Sequence, residues 1–174
     1  IDAHPQVLAF DEPAAFTQEI SNHIALPKSA RLAARVLDEL PTNRRADLRR
    51  RYIRSLLREA PGTRSARLLL DKNPSPTMSL NVWLRAFPEL KVIIALRDPR
   101  DVVISCYFLN AMLNGPNVNF LSLERPAKHY SDLMDVWLRM RELGGFDWIE
   151  TRYESVVADL ETEGRRVMDF LGRA

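Results

Sequence analysis

The sequence predicts an α/β fold, a parallel sheet flanked by helices, on three observations. Four apolar runs of strand length fall at residues 6–10, 67–70, 91–96 and 147–151, short and continuous as strands of a covered parallel sheet are. Between them lie segments with apolar residues every three or four positions, so strand and helix alternate, which implies βαβ units. Each run is also followed at once by charged or hydrogen-bonding side chains. In a parallel sheet those side chains share the carboxyl edge, where ligands of such folds bind.

Taken in order, Ile1-Asp2-Ala3-His4-Pro5 reads as the tail of a helix and a turn, because a helix stops before proline. The strand at 6–10 runs into Asp11-Glu12. Helices are expected over 28–40 and 42–60, the second with its arginines, residues 44–58, on a solvated face and its end before Pro61-Gly62. The strand at 67–70 delivers Asp71-Lys72-Asn73-Pro74. A short helix over 76–87 has Pro76 in its first turn, a favoured place for proline. The strand at 91–96 delivers Arg97-Asp98-Pro99-Arg100 and a helix over 99–113, with Asp98 near the N-cap and Pro99 in the first turn. A helix over 121–143 precedes the strand at 147–151, which delivers Arg152-Tyr153-Glu154. A helix over 161–171 closes the chain, with Gly172 as its terminator. Trp83, Trp137 and Trp148 are expected in the core or an interface, and Cys106 packed on its helix. His4, His23 and His129 are expected to be structural or exposed.

The chain has 174 residues, enough for one α/β domain with a sizeable core, and no repeat, low-complexity stretch or Gly/Ser linker divides it. A single domain over 1–174 is the expectation. The net charge of +2 gives no argument for nucleic acid. One cysteine, Cys106, excludes an internal disulfide framework and a cysteine-based zinc site, and makes a reduced, cytoplasmic setting the expectation. The longest apolar run, 92–96, is far short of the roughly 20 residues that cross a bilayer, so no membrane partner is expected.

The segment 91–110, KVIIALRDPRDVVISCYFLN, carries the clearest chemistry. A strand ends in Arg97, a capped helix starts at Asp98-Pro99, and Ser105 follows on its second turn. A helix N-terminus offers free N–H groups and a positive dipole end. A guanidinium adds a fixed fork of donors and a hydroxyl adds one more, a combination suited to phosphate. The alternative is a surface ion pair of Arg97 with Asp98 or Asp101, and a Ser105 that merely packs.

With its R-D-P-R-D and a serine eight residues after the first arginine, the sequence resembles the sulfotransferase superfamily. The nearest patterns are those of protein-tyrosine sulfotransferases and of bacterial sulfotransferases bearing helical repeats. The resemblance implies a sulfotransferase form of the P-loop nucleoside triphosphate hydrolase-like fold. It also implies transfer of a sulfuryl group from 3′-phosphoadenosine-5′-phosphosulfate (PAPS) to a hydroxyl or amine, with adenosine 3′,5′-bisphosphate as the product. On it, Arg97 and Ser105 hold the 3′-phosphate. LLLDKNP, residues 68–74, is similar to a D-K-x-P segment whose lysine lies near the sulfuryl group, which makes Lys72 a catalytic candidate. Asp2-Ala3-His4-Pro5-Gln6-Val7 with Asp11-Glu12 resembles the stretch that carries the general base, making Glu12 the candidate and Asp11 its neighbouring alternative. The Pro13-Ala14-Ala15 that follows departs from the arginine of the tyrosyl-protein enzymes, which speaks against a tyrosine-peptide acceptor. TRYESVV, residues 151–157, is similar to a Y-E-D-L region whose tyrosine contacts adenine, so Tyr153 is a nucleotide-binding candidate beside a half-buried packing role. Neither His23 nor His129 sits in the histidine-base motif of the small-molecule enzymes.

The resemblance implies further that the loop cradling the 5′-phosphosulfate lies upstream of Ile1, making this an incomplete domain fragment, inactive alone. No metal is implied, because protein cations meet the donor's charge. The acceptor is expected to be a small molecule or peptide met by variable loops such as residues 110–120. A P-loop-fold nucleotide kinase and a non-catalytic nucleotide- or partner-binding module remain the rivals.

Overall fold

The computed structural model describes residues 1, 3–60, 68–74, 76–108, 122 and 124–172. The expected features at Asp2, Pro61-Gly62, Arg67 and residues 110–120 lie outside them. The chain divides into two compact units, Ile1–Leu90 and Lys91–Ala174.

In the first unit, β1 (Val7–Asp11) lies parallel to β2 (Leu68–Lys72), in register from Val7 opposite Leu68 to Asp11 opposite Lys72. The chain enters β1 from a turn in which Val7 donates its N–H to the His4 carbonyl at 2.9 Å. Helices α1 (Ala30–Glu39), α2 (Thr42–Glu59) and α3 (Leu80–Ala86) supply the cover. The buried residues of α2 are Leu48, Tyr52, Ser55 and Leu56, the i, i+4, i+7, i+8 stripe of an amphipathic helix. Leu48, Tyr52 and Leu56 meet Phe10, Ile20, Leu37, Trp83 and Phe87 in one core. Phe16 stacks on Trp83 with centroids 3.9 Å apart, and Tyr52 leans on Phe87 at 4.9 Å. Along α2 several of the arginines are tied by ion pairs. Arg51 pairs with Asp47 at 3.0 Å, Arg49 with Glu89 at 3.1 Å and Arg58 with Glu19 at 3.2 Å.

Two details differ from the sequence reading. The helix expected over 76–87 is a 3-10 turn, Pro76–Ser79, that passes into α3. Residues 13–27, given no element from sequence, contain a π-helical turn, Thr17–Ser21, whose Ile20 is wholly buried. Such turns are rare and gather at functional sites.

In the second unit, β3 (Lys91–Leu96) lies parallel to β4 (Asp147–Arg152), from Lys91 opposite Asp147 to Leu96 opposite Arg152. Helix α4 is Pro99–Phe108 and α5 is Glu124–Leu143. Trp137 of α5 is fully buried, packs edge-on against Trp148 at 5.3 Å and donates its indole N–H to Glu150 at 2.7 Å. Glu150 also accepts from Arg141 at 3.1 Å, so its carboxylate inside the unit is matched by two donors.

Residues 153–158, given no element from sequence, form a helix, α6 (Tyr153–Ala158), directly abutting β4. Its six residues include three that favour strands (Tyr153, Val156 and Val157) and are too few to show a helical period. Helix α7, Leu160–Leu171, starts one residue earlier than expected because Asp159 caps it, accepting from the Thr162 N–H at 3.0 Å. It ends on Gly172 at φ 70°, the left-handed conformation that glycine adopts without penalty. Among the described residues no helix is long and apolar enough to cross a membrane.

Candidate functional site

The first unit gathers its chemistry at the carboxyl ends of β1 and β2, where the register sets Asp11 opposite Lys72. The pairing continues one residue further, since Glu12 donates its N–H to the Lys72 carbonyl at 2.8 Å. Glu12 has φ 52°, a left-handed conformation that costs a non-glycine residue about 1–3 kcal/mol and is typical of functional positions. Lys72 Nζ bonds the Glu12 carboxylate at 3.3 Å and pairs with Asp11 as well. The hydrogen bond it donates to Asp11, and then that to Glu12, hold the ammonium above the ordinary lysine range, so it stays charged. The structure thus brings Glu12 and Lys72 together, with Asp11 on the same cation.

Behind this group Tyr52 donates its hydroxyl to Asp71 Oδ2 at 2.6 Å, while Asp71 Oδ1 is buried with no hydrogen-bond partner. Burial pushes the Asp71 carboxyl above its ordinary range, and the Tyr52 hydroxyl opposes that. Burial and the adjoining Asp71 likewise push the Tyr52 phenol up. Tyr52→Phe is expected to cost about 1–3 kcal/mol, because both Asp71 oxygens are then unpaired. With its folded-state value raised, Asp71 favours folding most below the unfolded-state value. That contribution is lost as pH climbs through the folded-state value. The variant raises that value further, so its deficit in chemical denaturation should be larger at neutral pH than near pH 4.

A cleft of about 450 Å³ opens beside these residues. Its lining includes Pro13 and Asn73, the chain neighbours of Glu12 and Lys72. Thr17 and Ser21 come from the π-helical turn, and Phe16 and Trp83 form an aromatic wall. That volume lies within the usual range of small-molecule sites.

In the second unit the turn from β3 to α4 is built as the sequence predicts. Asp98 caps α4, its Oδ1 accepting from the Arg100 N–H at 2.9 Å and its carbonyl from the Val102 N–H at 3.1 Å. The Arg100 guanidinium closes on the same carboxylate at 2.6 Å and draws it down to about 2. Arg97 donates from Nη2 to Asp101 at 3.2 Å, the ion pair weighed above as the alternative. That pair does not exhaust the fork: Nε is buried with no hydrogen-bond partner, and the side chain is 41% exposed. Ser105 is exposed and lies one turn beyond Asp101, hence on the same face of α4 as the carboxylate that Arg97 touches. The Arg97 guanidinium carbon lies 4.7 Å from the Tyr153 ring centroid, so these two candidates are also brought together. Cys106 is half-buried on α4, and burial pushes its thiol up, away from reactivity.

From sequence, Asp101 figures only as an alternative ion-pair partner of Arg97, and Glu154 has no role. Asp101 is legible only as an i, i+4 partner of Arg97. Glu154 accepts the Asp98 N–H at 2.8 Å across 56 positions, a contact for which the local sequence holds no signal.

The Sulfotransferase family model matches residues 1–174. Sulfotransferase 2B1 of Mus musculus is 33% identical over 125 residues, 63% of this chain and 36% of that protein. Sulfotransferase 2B1 of Homo sapiens is 32% identical over 110 residues, 57% of this chain and 30% of that protein. The matched stretch spans about a third of the length of these curated relatives. With the parallel strands, the Asp98-capped turn and a match running the full 174 residues, the chain belongs to the sulfotransferase family.

Proposed function

We propose that the full-length protein containing this chain transfers a sulfuryl group from PAPS to a hydroxyl or amine acceptor. The observation that carries the reading is the β3–α4 turn of a family member, where Ser105 shares a helix face with Asp101, the partner of Arg97, and Arg97 keeps donors unused by protein. Arg97 and Ser105 are assigned to the donor's 3′-phosphate, and Tyr153 to the nucleotide side of the site. Lys72 and Glu12 are assigned to the reacting end.

In the proposed step the acceptor oxygen or nitrogen attacks sulfur in line. The bond from sulfur to the bridging 5′-phosphate oxygen breaks, and adenosine 3′,5′-bisphosphate leaves with that electron pair. Glu12, with Asp11 as its neighbouring alternative, takes the acceptor proton. Lys72 meets the charge growing on the bridging oxygen, which is where a fixed cation contributes most to rate. The acceptor is assigned to the cleft behind Pro13 and Asn73, whose aromatic wall and hydroxyl rim suit a small molecule with an apolar body. A cytoplasmic setting is proposed on the single Cys106.

The test is label transfer from sulfur-35 PAPS by the full-length protein to a panel of phenols, aliphatic alcohols and amines. Labelled product from at least one class is expected. Inertness to PAPS together with magnesium-dependent use of ATP would overturn the reading in favour of a kinase.

A further inference from the structure

The strands β3 and β4 end in register, Leu96 opposite Arg152, so the chain leaves both at the same level. The next two residues of each then engage. The Tyr153 ring covers the Arg97 guanidinium at 4.7 Å, and Glu154 Oε1 accepts the Asp98 N–H at 2.8 Å. One contact sets the guanidinium over the ring and the other fixes the backbone from which it emerges. We propose that Tyr153 and Glu154 are positioning residues, a clamp at the start of α6 that presets Arg97 to receive the 3′-phosphate. This rests on the donor assignment above and changes the meaning of Tyr153, whose ring then acts through Arg97 rather than on the purine.

The physical need is clear from Arg97's other neighbour. Arginine has several rotatable bonds, and binding through it costs the ordering of that chain unless something has ordered it already. Asp101 alone would draw the guanidinium along the exposed side of α4 and neutralise it there. A ring beside the guanidinium limits the directions its donors can take, and Nη2 already donates to Asp101. The remaining donors then have fewer orientations open to them. Glu154 adds to the Asp98 cap, since Pro99 brings no N–H and the Asp98 N–H would otherwise be unpaired. The Asp98 N–H holds the Glu154 carboxyl below the ordinary range, so the contact persists into mild acid.

The experiment compares two ligands by calorimetry on the full-length protein: adenosine 3′,5′-bisphosphate and adenosine 5′-phosphate, which lacks the 3′ group. Tyr153→Leu is expected to weaken the bisphosphate about tenfold, leaving the monophosphate within about twofold. Tyr153→Phe keeps the ring and should keep the wild-type preference. Glu154→Ala should reduce the same preference about threefold. A general loss of structure would weaken both ligands alike, so the ratio isolates positioning. Three results would overturn the clamp: wild-type ratios in Tyr153→Leu, equal losses on both nucleotides, or a phenylalanine variant as poor as the leucine one. If the wild-type protein shows no preference for the 3′-phosphorylated nucleotide, the donor assignment falls, and the clamp falls with it.

Discussion

Arg97→Ala in the full-length protein is expected to weaken binding of adenosine 3′,5′-bisphosphate about 100-fold and binding of adenosine 5′-phosphate by no more than about threefold. Hydrogen bonds to charged groups contribute about 1.5–3 kcal/mol each, and about 1.4 kcal/mol is a factor of ten, so losing a fork-like contact reaches the upper part of that range. A second effect adds to it. Arg97 now offsets Asp101, its partner at 3.2 Å, and the truncation leaves that carboxylate facing the incoming dianion. Arg97→Lys should recover part of the affinity but little of the geometry, because an ammonium is a point charge without the planar fork. Calorimetry with the two nucleotides decides the matter. Equal weakening of both would show that Arg97 holds the turn together and does not read the 3′-phosphate.

How far the sequence reaches is clearest on this turn. The strand at 91–96, the cap at Asp98 and the proline start of α4 are local consequences of residue type, and all three stand in the structure. The Asp101 partner follows from helical spacing. The covering ring and the carboxylate on the Asp98 N–H come from positions 153 and 154, brought there only by the register of β3 on β4. No local pattern encodes a register, so Tyr153 could be matched to a family position while its contact with Arg97 stayed invisible. The other strand ends give the same lesson. Asp11, Glu12 and Lys72 were legible as charges delivered to one edge. The left-handed backbone of Glu12 was not, because a glutamate enters that region only when tertiary contacts impose it. The π-helical turn at Thr17–Ser21 escaped because residues 13–27 hold no period, and Ile20 is buried by its neighbours rather than by a pattern of its own.

Lys72→Met should lower kcat about 100- to 1000-fold with little change in acceptor KM, the signature of an interaction made chiefly in the transition state. In the ground state Lys72 already holds Asp11 and Glu12, and the raised value of its ammonium means that neither acid nor mild base removes the charge. A lysine whose folded-state value is raised stays protonated through the ordinary lysine range, so activity should show no basic limb from Lys72 below about pH 10. A charge so firmly held is useful only if something needs it during reaction, and the bridging oxygen of a departing phosphate acquires just such a need. Lys72→Arg keeps the charge and should recover part of kcat, whereas methionine keeps only the length. Single-turnover measurements with saturating donor separate the two roles open to this residue. A loss confined to KM would make Lys72 an acceptor-binding group. A fall in kcat of less than about tenfold would leave the ammonium as nothing more than the counter-charge for the two carboxylates beside it.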